Sequence, residues 1–273
     1  MSTHPSSCTT TSSMLPYTLI SADASSDLGH FISIITDAFS STPLTTAFII
    51  DNDRTAPPSR SIPRGRRERH FSQGILDSAA STAELVHAGN WSAIALWEPP
   101  NFQGKAFIDS KARPGALLSE WRARVKAAKA KHLAEPCTST ASTDSESSSG
   151  TSNMNTGSAS ENLTPEEEPQ IRPFYHLSFL ARNPSAPRVP GSLNAVISPF
   201  LKRSQADHAP VWLEATSRQA VKLYEHYGFR VVEEIVVGQG KVDAEGWPTQ
   251  DGQGEGVTAW AMIYDSHLRE RDS

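Results

Sequence analysis

The sequence predicts an α/β domain, and three observations carry that prediction. Residues 174–264 alternate strand-like and helix-like apolar patterns and close on two consecutive strands. Residues 83–88 and 92–97 are short apolar runs on either side of Gly89-Asn90, a dipeptide suited to a hairpin turn. Residues 136–170 are rich in Ser, Thr, Asn, Gly and Glu, with almost no large apolar side chains, and fall between elements.

In chain order, residues 1–14 are polar and expected to be disordered. Residues 17–20 form a first strand. Asp27 is expected to cap a helix in which Leu28, Phe31, Ile32, Ile35, Ala38 and Phe39 recur at helical spacing. Residues 52–66 are rich in Pro and Arg and read as a loop. The basic run Arg60, Arg64, Arg66, Arg67 and Arg69 is expected to be solvated. A second helix covers 71–80, and the hairpin of 83–97 follows. Glu98-Pro99-Pro100 ends its second strand, because proline cannot donate to a ladder. Leu117, Leu118, Trp121 and Val125 mark a helix running to about residue 133. Residues 136–170 cannot bury enough apolar surface to offset their ordering entropy and are too long for an ordinary loop, so they are expected to be a disordered insertion. Then come a strand at 174–181, a helix at 193–204, a strand at 210–215, a helix at 217–227 and closing strands at 230–237 and 257–264. The domain is thus expected in two parts, 15–135 and 171–267.

The chain has 273 residues and a formal net charge of -5, which fits one large domain or one domain with extras. No basic stripe favours a nucleic-acid partner, and no apolar run is long enough to cross a bilayer. The two cysteines, Cys8 and Cys137, lie in polar tracts with no second ligand at useful spacing, so neither a disulfide framework nor a metal site is expected. Residues 1–13 lack the charged-then-apolar pattern of a signal peptide, and the expected setting is soluble, reducing and cytoplasmic. The oligomeric state is not legible.

Residues 211–217, Val-Trp-Leu-Glu-Ala-Thr-Ser, lead into residues 220–229, Ala-Val-Lys-Leu-Tyr-Glu-His-Tyr-Gly-Phe. Ser217 suits a helix N-cap, Ala220, Leu223, Tyr224 and Tyr227 share a helical face, and Gly228 sits where a left-handed C-cap is needed. This strand and helix, closed by Tyr224-x-x-x-Gly228-Phe229, resemble the C-terminal half of the GNAT acetyltransferases. The branch they look like most is that of puromycin N-acetyltransferase and its fungal relatives. The resemblance spans roughly 174–264, with a weaker echo in 93–99.

That resemblance implies a GNAT fold: a central mixed sheet flanked by helices, with strands splayed near Phe179, Leu180 and Ala181 and near 211–214. It implies acetyl-CoA as cosubstrate, its pantetheine arm pairing with the splayed strands as a strand would. It also implies direct transfer to an amine through a tetrahedral intermediate, with Tyr224 as the acid for the leaving thiolate. The implied acceptor is a small-molecule amine, in detoxification or secondary metabolism. The family's pyrophosphate loop aligns with Arg188-x-x-Gly191-x-Leu193, giving Arg188, Gly191, Ser192 and Leu193 as cofactor-binding residues at a helix N-terminus. Pro190 and Leu193 depart from the family pattern, removing a donor and replacing a small residue. Glu98 and Glu214 are the candidate bases for an ammonium substrate. His176 and His226 read as structural or surface histidines. A hydroxyl acceptor, or a degenerate fold serving as a binding module without catalysis, are the alternatives.

Overall fold

The described residues of the computed structural model are 15–55, 57, 59–105, 110, 113–135, 171–250 and 252–265. The two segments expected to be disordered, 1–14 and 136–170, lie outside them, as do both cysteines. The elements run β1 (Tyr17–Leu19), α1 (Ser25–Ala38), α2 (Pro43–Asp53), α3 (Arg64–Ala79), β2 (Glu84–Ala88), β3 (Ala93–Glu98) and α4 (Ala116–Leu133). They continue with β4 (Tyr175–Arg182), α5 (Ser192–Ala206), β5 (Val211–Ala215), α6 (Arg218–His226), β6 (Arg230–Val237) and β7 (Val257–Tyr264).

The strands form one mixed sheet in the order β1-β2-β3-β4-β5-β7-β6. Every neighbouring pair is antiparallel except β4 with β5. Side chains alternate across it as the pleat requires. Ala93, Ala95 and Trp97 of β3 pack with α5 and α6, whereas Ile94 and Leu96 pack with α1 and α3. The remaining helices, α2 and α4, cover β5, β6 and β7 on the α1 and α3 side. Two layers of helix therefore enclose the central strands on both faces, while the edge strands β1 and β6 stay partly exposed. Among the described residues, no helix is long and apolar enough to cross a membrane.

Three local expectations are corrected, and one helix, α2, appears that was not expected. Asp27 lies in the first turn of α1 and does not cap it; the cap position is Ala24, and the carboxylate instead complements the positive helix end. The helix α2 carries no amphipathic stripe because Leu44 through Ile50 are all buried, so its periodicity is hidden; Pro43 at its start is the surviving signal. The basic run belongs mostly to α3, and it is paired. Arg64 bonds Asp37 at 3.1 Å and Glu68 at 2.9 Å, Arg66 bonds Asp53 at 2.8 Å, and Arg67 donates to the carbonyls of Thr36 and Ile62. Finally, the hairpin turn exceeds two residues: Gly89, Asn90 and Trp91 all have positive φ, and the Trp91 ring is stacked on His87 at 4.0 Å.

Candidate active site

The sheet opens at its single parallel junction. There β4 and β5 pair only at Tyr175 with Val211 and His176 with Trp212, so the opening begins at Leu177 and Leu213, not at Val211. A bulge accompanies it. Leu96 of β3 faces Phe179 and Trp97 faces Leu177, which leaves Ser178 as the extra residue of β4. One inserted residue exchanges the faces of everything beyond it. Tyr175 and Leu177 accordingly pack against α5 and α6, while Phe179 and Ala181 pack against α1 and α3.

The pleat places Glu98, His176 and Glu214 side by side on adjacent strands, on the α1–α4 face. His176 Nδ1 lies 2.8 Å from Glu98 Oε2, and its Nε2 lies 3.0 Å from Glu214 Oε2. Ser178 donates to Glu98 Oε1 at 2.7 Å, and the Trp212 indole N–H donates to Glu214 Oε1 at 2.6 Å. Lys129 of α4 approaches Glu214 Oε1 to 3.9 Å. With a carboxylate at each ring nitrogen, only the doubly protonated imidazolium donates to both. Burial and the Lys129 ammonium oppose that proton, but Glu214 and Glu98 outweigh them and His176 is shifted upward. Burial likewise raises both carboxylates, yet His176 and the other donors prevail. Glu98 ends below its ordinary value and Glu214 at about 2. Two anions and two cations thus meet where the sheet opens, all of them largely buried. His176 is the centre of this network and so is not a lone histidine. Sequence places Glu98, His176 and Glu214 each on a strand, but that these strands are neighbours in this register is a property of the fold. Because the carboxylates lie on opposite sides of the ring, they share no metal centre, and no metal-binding group occurs among the described residues.

A cavity of about 170 Å³ passes through the opening. On the α6 side it is lined by Ala220 and Tyr224. On the other side Phe39, Phe48, Phe71 and Trp121 make an aromatic chamber that also contains Glu214 and His176. Phe179 and Leu180 line it at the strand edge, whereas Ala181 does not. Glu98 faces a second cavity, shared with His176 and Lys129. Of the two candidate carboxylates, only Glu214 therefore reaches the space that contains Tyr224.

Helix α6 begins as expected, with Ser217 Oγ accepting the Ala220 N–H at 3.1 Å. It ends in a Schellman motif. The Phe229 N–H bonds the Tyr224 carbonyl at 3.1 Å, the Gly228 N–H bonds the Glu225 carbonyl at 2.9 Å, and Gly228 has φ +91°. The Tyr224 and Phe229 rings meet at 5.7 Å, the apolar contact that accompanies such a stop. Tyr224 is buried, and its hydroxyl has no hydrogen-bond partner among the described residues. Burial pushes its value well above that of an ordinary phenol. Val221 and Tyr224 are its buried pair, and Tyr227, half-buried at the helix end, packs against the same core.

At α5, Gly191 is the N-cap with φ +81°, and a Cβ built there would meet nothing within 4 Å. Arg188 and Gly191 are exposed. Ser192 is buried: its N–H bonds the Val189 carbonyl at 3.2 Å and its hydroxyl faces Ser92. The Leu193 side chain joins the core, which removes it from the helix end, while its N–H points out of that end as helix geometry requires. An open glycine, an outward amide and a neighbouring Arg188 suit an anion at this end.

No family model matches the chain. Over 91 residues, a third of the chain, it is 32% identical to the putative increased recombination centers protein 11 of Saccharomyces cerevisiae. A match of equal length is 31% identical to the uncharacterized protein YDR391C of the same yeast. These matches span 57% and 38% of the respective relatives. Among solved structures, the chain superposes on the polyamine N-acetyltransferase of Drosophila melanogaster, which forms N-acetylagmatine. The TM-score is 0.51 at 11% identity, covering 92% of this chain and 99% of that one. It also superposes on the C-terminal condensation domain of Ebony in complex with β-alanyl-dopamine. There the TM-score is 0.50 at 11% identity, covering 92% of this chain and 100% of that one. The opened mixed sheet with its two helical layers is the GNAT acetyltransferase fold.

Proposed function

We propose that the protein is an acetyl-CoA-dependent N-acetyltransferase acting on a primary amine carried by a small apolar molecule. The observation that carries this reading is the cavity through the sheet, which joins Tyr224 on one face to an aromatic chamber holding Glu214 on the other. Its size suits a small acceptor, and its phenylalanine and tryptophan walls suit an aryl or alkyl group. Glu214 stays ionised and attracts the ammonium form of that acceptor into the chamber.

In this reading the thioester lies in the opening between β4 and β5, its amide-containing arm pairing along β4 as an added strand and its pyrophosphate at the α5 N-terminus. Holding thioester and amine in one narrow passage supplies much of the rate by proximity. The Tyr224 phenol remains protonated and donates to the sulfur as it leaves.

The test is release of free thiol from acetyl-CoA with a panel of aryl, alkyl and polyamine acceptors, for the wild type and for Tyr224→Phe. Because the hydroxyl has no partner among the described residues, phenylalanine leaves no described donor or acceptor stranded, and fold and acetyl-CoA affinity should persist. Turnover should fall by about 10²–10⁴, the usual loss for a missing general acid. Wild-type protein that releases no thiol with any amine sinks the acetyltransferase reading. A variant with unchanged turnover when chemistry is rate-limiting sinks the role of Tyr224 alone.

A further inference from the structure

The second cavity, about 580 Å³, lies where β3 ends and β4 begins, and the reaction proposed above makes no use of it. Two stretches of chain meet α4 there. Lys129 follows the buried Ala128 and stands one turn after the buried Val125, so helical spacing sets it at the border of the face that α4 turns to the sheet. The Arg172 N–H bonds the Leu133 carbonyl at 2.9 Å, and Ile171 bridges to Ala134, which ties the approach to β4 against the end of that helix. The chain leaving β3 contributes Phe102 and Lys105.

Donors outnumber acceptors in this space. The Lys129 side chain is only 14% exposed, yet the one carboxylate oxygen within 4 Å among the described residues, on Glu214, is 3.9 Å away, beyond hydrogen-bond distance. Its other contact is the Phe174 ring, 5.2 Å from the ammonium. An ammonium carries three donors, and drawing them out of water without acceptors is unfavourable. The Arg172 guanidinium donates to Asp265 at 3.1 Å, while its Nε is buried with no acceptor among the described residues. Lys105 adds a third, exposed cation. Glu98, the carboxylate of the described lining, already accepts from His176 on one oxygen and from Ser178 on the other. Pro99, Pro100, Phe102 and Phe174 give the cavity apolar walls.

We propose that this cavity binds an organic carboxylate with an apolar body, a ligand distinct from both the acetyl donor and the acceptor amine. Its carboxylate accepts from Lys129 and from Arg172 Nε, and its aryl or alkyl part lies against the proline and phenylalanine walls. A single negative charge suits the place better than a phosphate, because Glu98 and Glu214 stand close by and repel a second charge. The site does not depend on the acetyltransferase reading, and its occupancy is measured without turnover.

The experiment is calorimetric titration of the full chain with benzoate, phenylacetate and octanoate, each beside its neutral amide. At least one acid should bind about tenfold or more tightly than its amide, as expected for hydrogen bonds to a charged group. Lys129→Met should abolish that preference. Arg172→Lys keeps a charge for Asp265 but lacks Nε, and it should weaken the acid; Arg172 lines this cavity and not the first, so that loss locates the ligand. Acids that bind no better than their amides overturn the proposal, as does a preference that survives both substitutions. Inorganic phosphate that displaces the acid at equal concentration also overturns it, since the site would then take any anion. Should Lys129→Met not melt cooperatively, Lys129→Gln replaces it, and equal binding of acid and amide by the wild type is enough to refute the site.

Discussion

The charged network around His176 makes a quantitative claim that His176→Gln tests. Glutamine keeps the approximate volume and one donor but removes the positive charge between Glu98 and Glu214. The energy at stake follows from Glu214, whose side chain is only 12% exposed and whose value is held at about 2 against an ordinary 4.5. At 1.36 kcal/mol per unit, that gap is worth about 3 kcal/mol. Part of it belongs to Lys129 and Trp212, but the variant also strands Glu98, and unpairing a buried ion typically costs about 3–5 kcal/mol. A loss of about 3 kcal/mol is therefore expected in urea unfolding at pH 7. A double-mutant cycle with Glu98→Gln should show coupling of about 1–3 kcal/mol. His176 is shifted above its unfolded value of 6.5, so its stabilisation is complete below that pH and lost as pH climbs through the raised value. The penalty of the variant should thus shrink toward alkaline pH. A loss below about 1 kcal/mol, or no coupling to Glu98, would refute the imidazolium bridge.

Three further outcomes are expected. The wild type should lose up to about 3 kcal/mol through Glu214 as pH falls from 4.5 toward 2, because a depressed carboxylate stabilises only while ionised; chemical denaturation across that range measures it. Gly228→Ala, at φ +91°, should cost about 1–2 kcal/mol in thermal or urea unfolding, since an L-residue pays to adopt the left-handed region. Gly191→Asp should weaken acetyl-CoA at least about tenfold relative to Gly191→Asn in calorimetric titration; both residues tolerate φ +81° comparably, so the difference isolates charge against a pyrophosphate.

Much of the fold was legible because its signals are local. The strands at 230–237 and 257–264 match their expected bounds, and α5 and α6 differ only at their ends, since pattern and caps act within a few residues. What escaped was non-local. Helix α2 is buried nearly all round, so its pattern carries no face, and the arginines of α3 look solvated until Asp37 and Asp53 arrive from other helices. The bulge at Ser178 was invisible for the same reason: an extra residue exists only relative to a partner strand. Yet it decides which residues of β4 face the chamber.

The family motif itself divides into two kinds of information. Tyr224, Gly228 and Phe229 occupy the C3, C′ and C″ positions of a helix stop, where a carbonyl acceptor, a left-handed residue and an apolar contact are each required. Glycine at C′ and the apolar pairing of residues 224 and 229 are explained by that stop, with no reference to chemistry. Phenylalanine at 224 would satisfy the same stop equally well. The hydroxyl is the one part of the motif the helix does not need, and it has no hydrogen-bond partner among the described residues of the cavity that crosses the sheet. A polar atom that the helix does not need, on the cavity where the sheet opens, is free to meet a partner that arrives from outside. In the proposed reaction that partner is the leaving sulfur of the thioester.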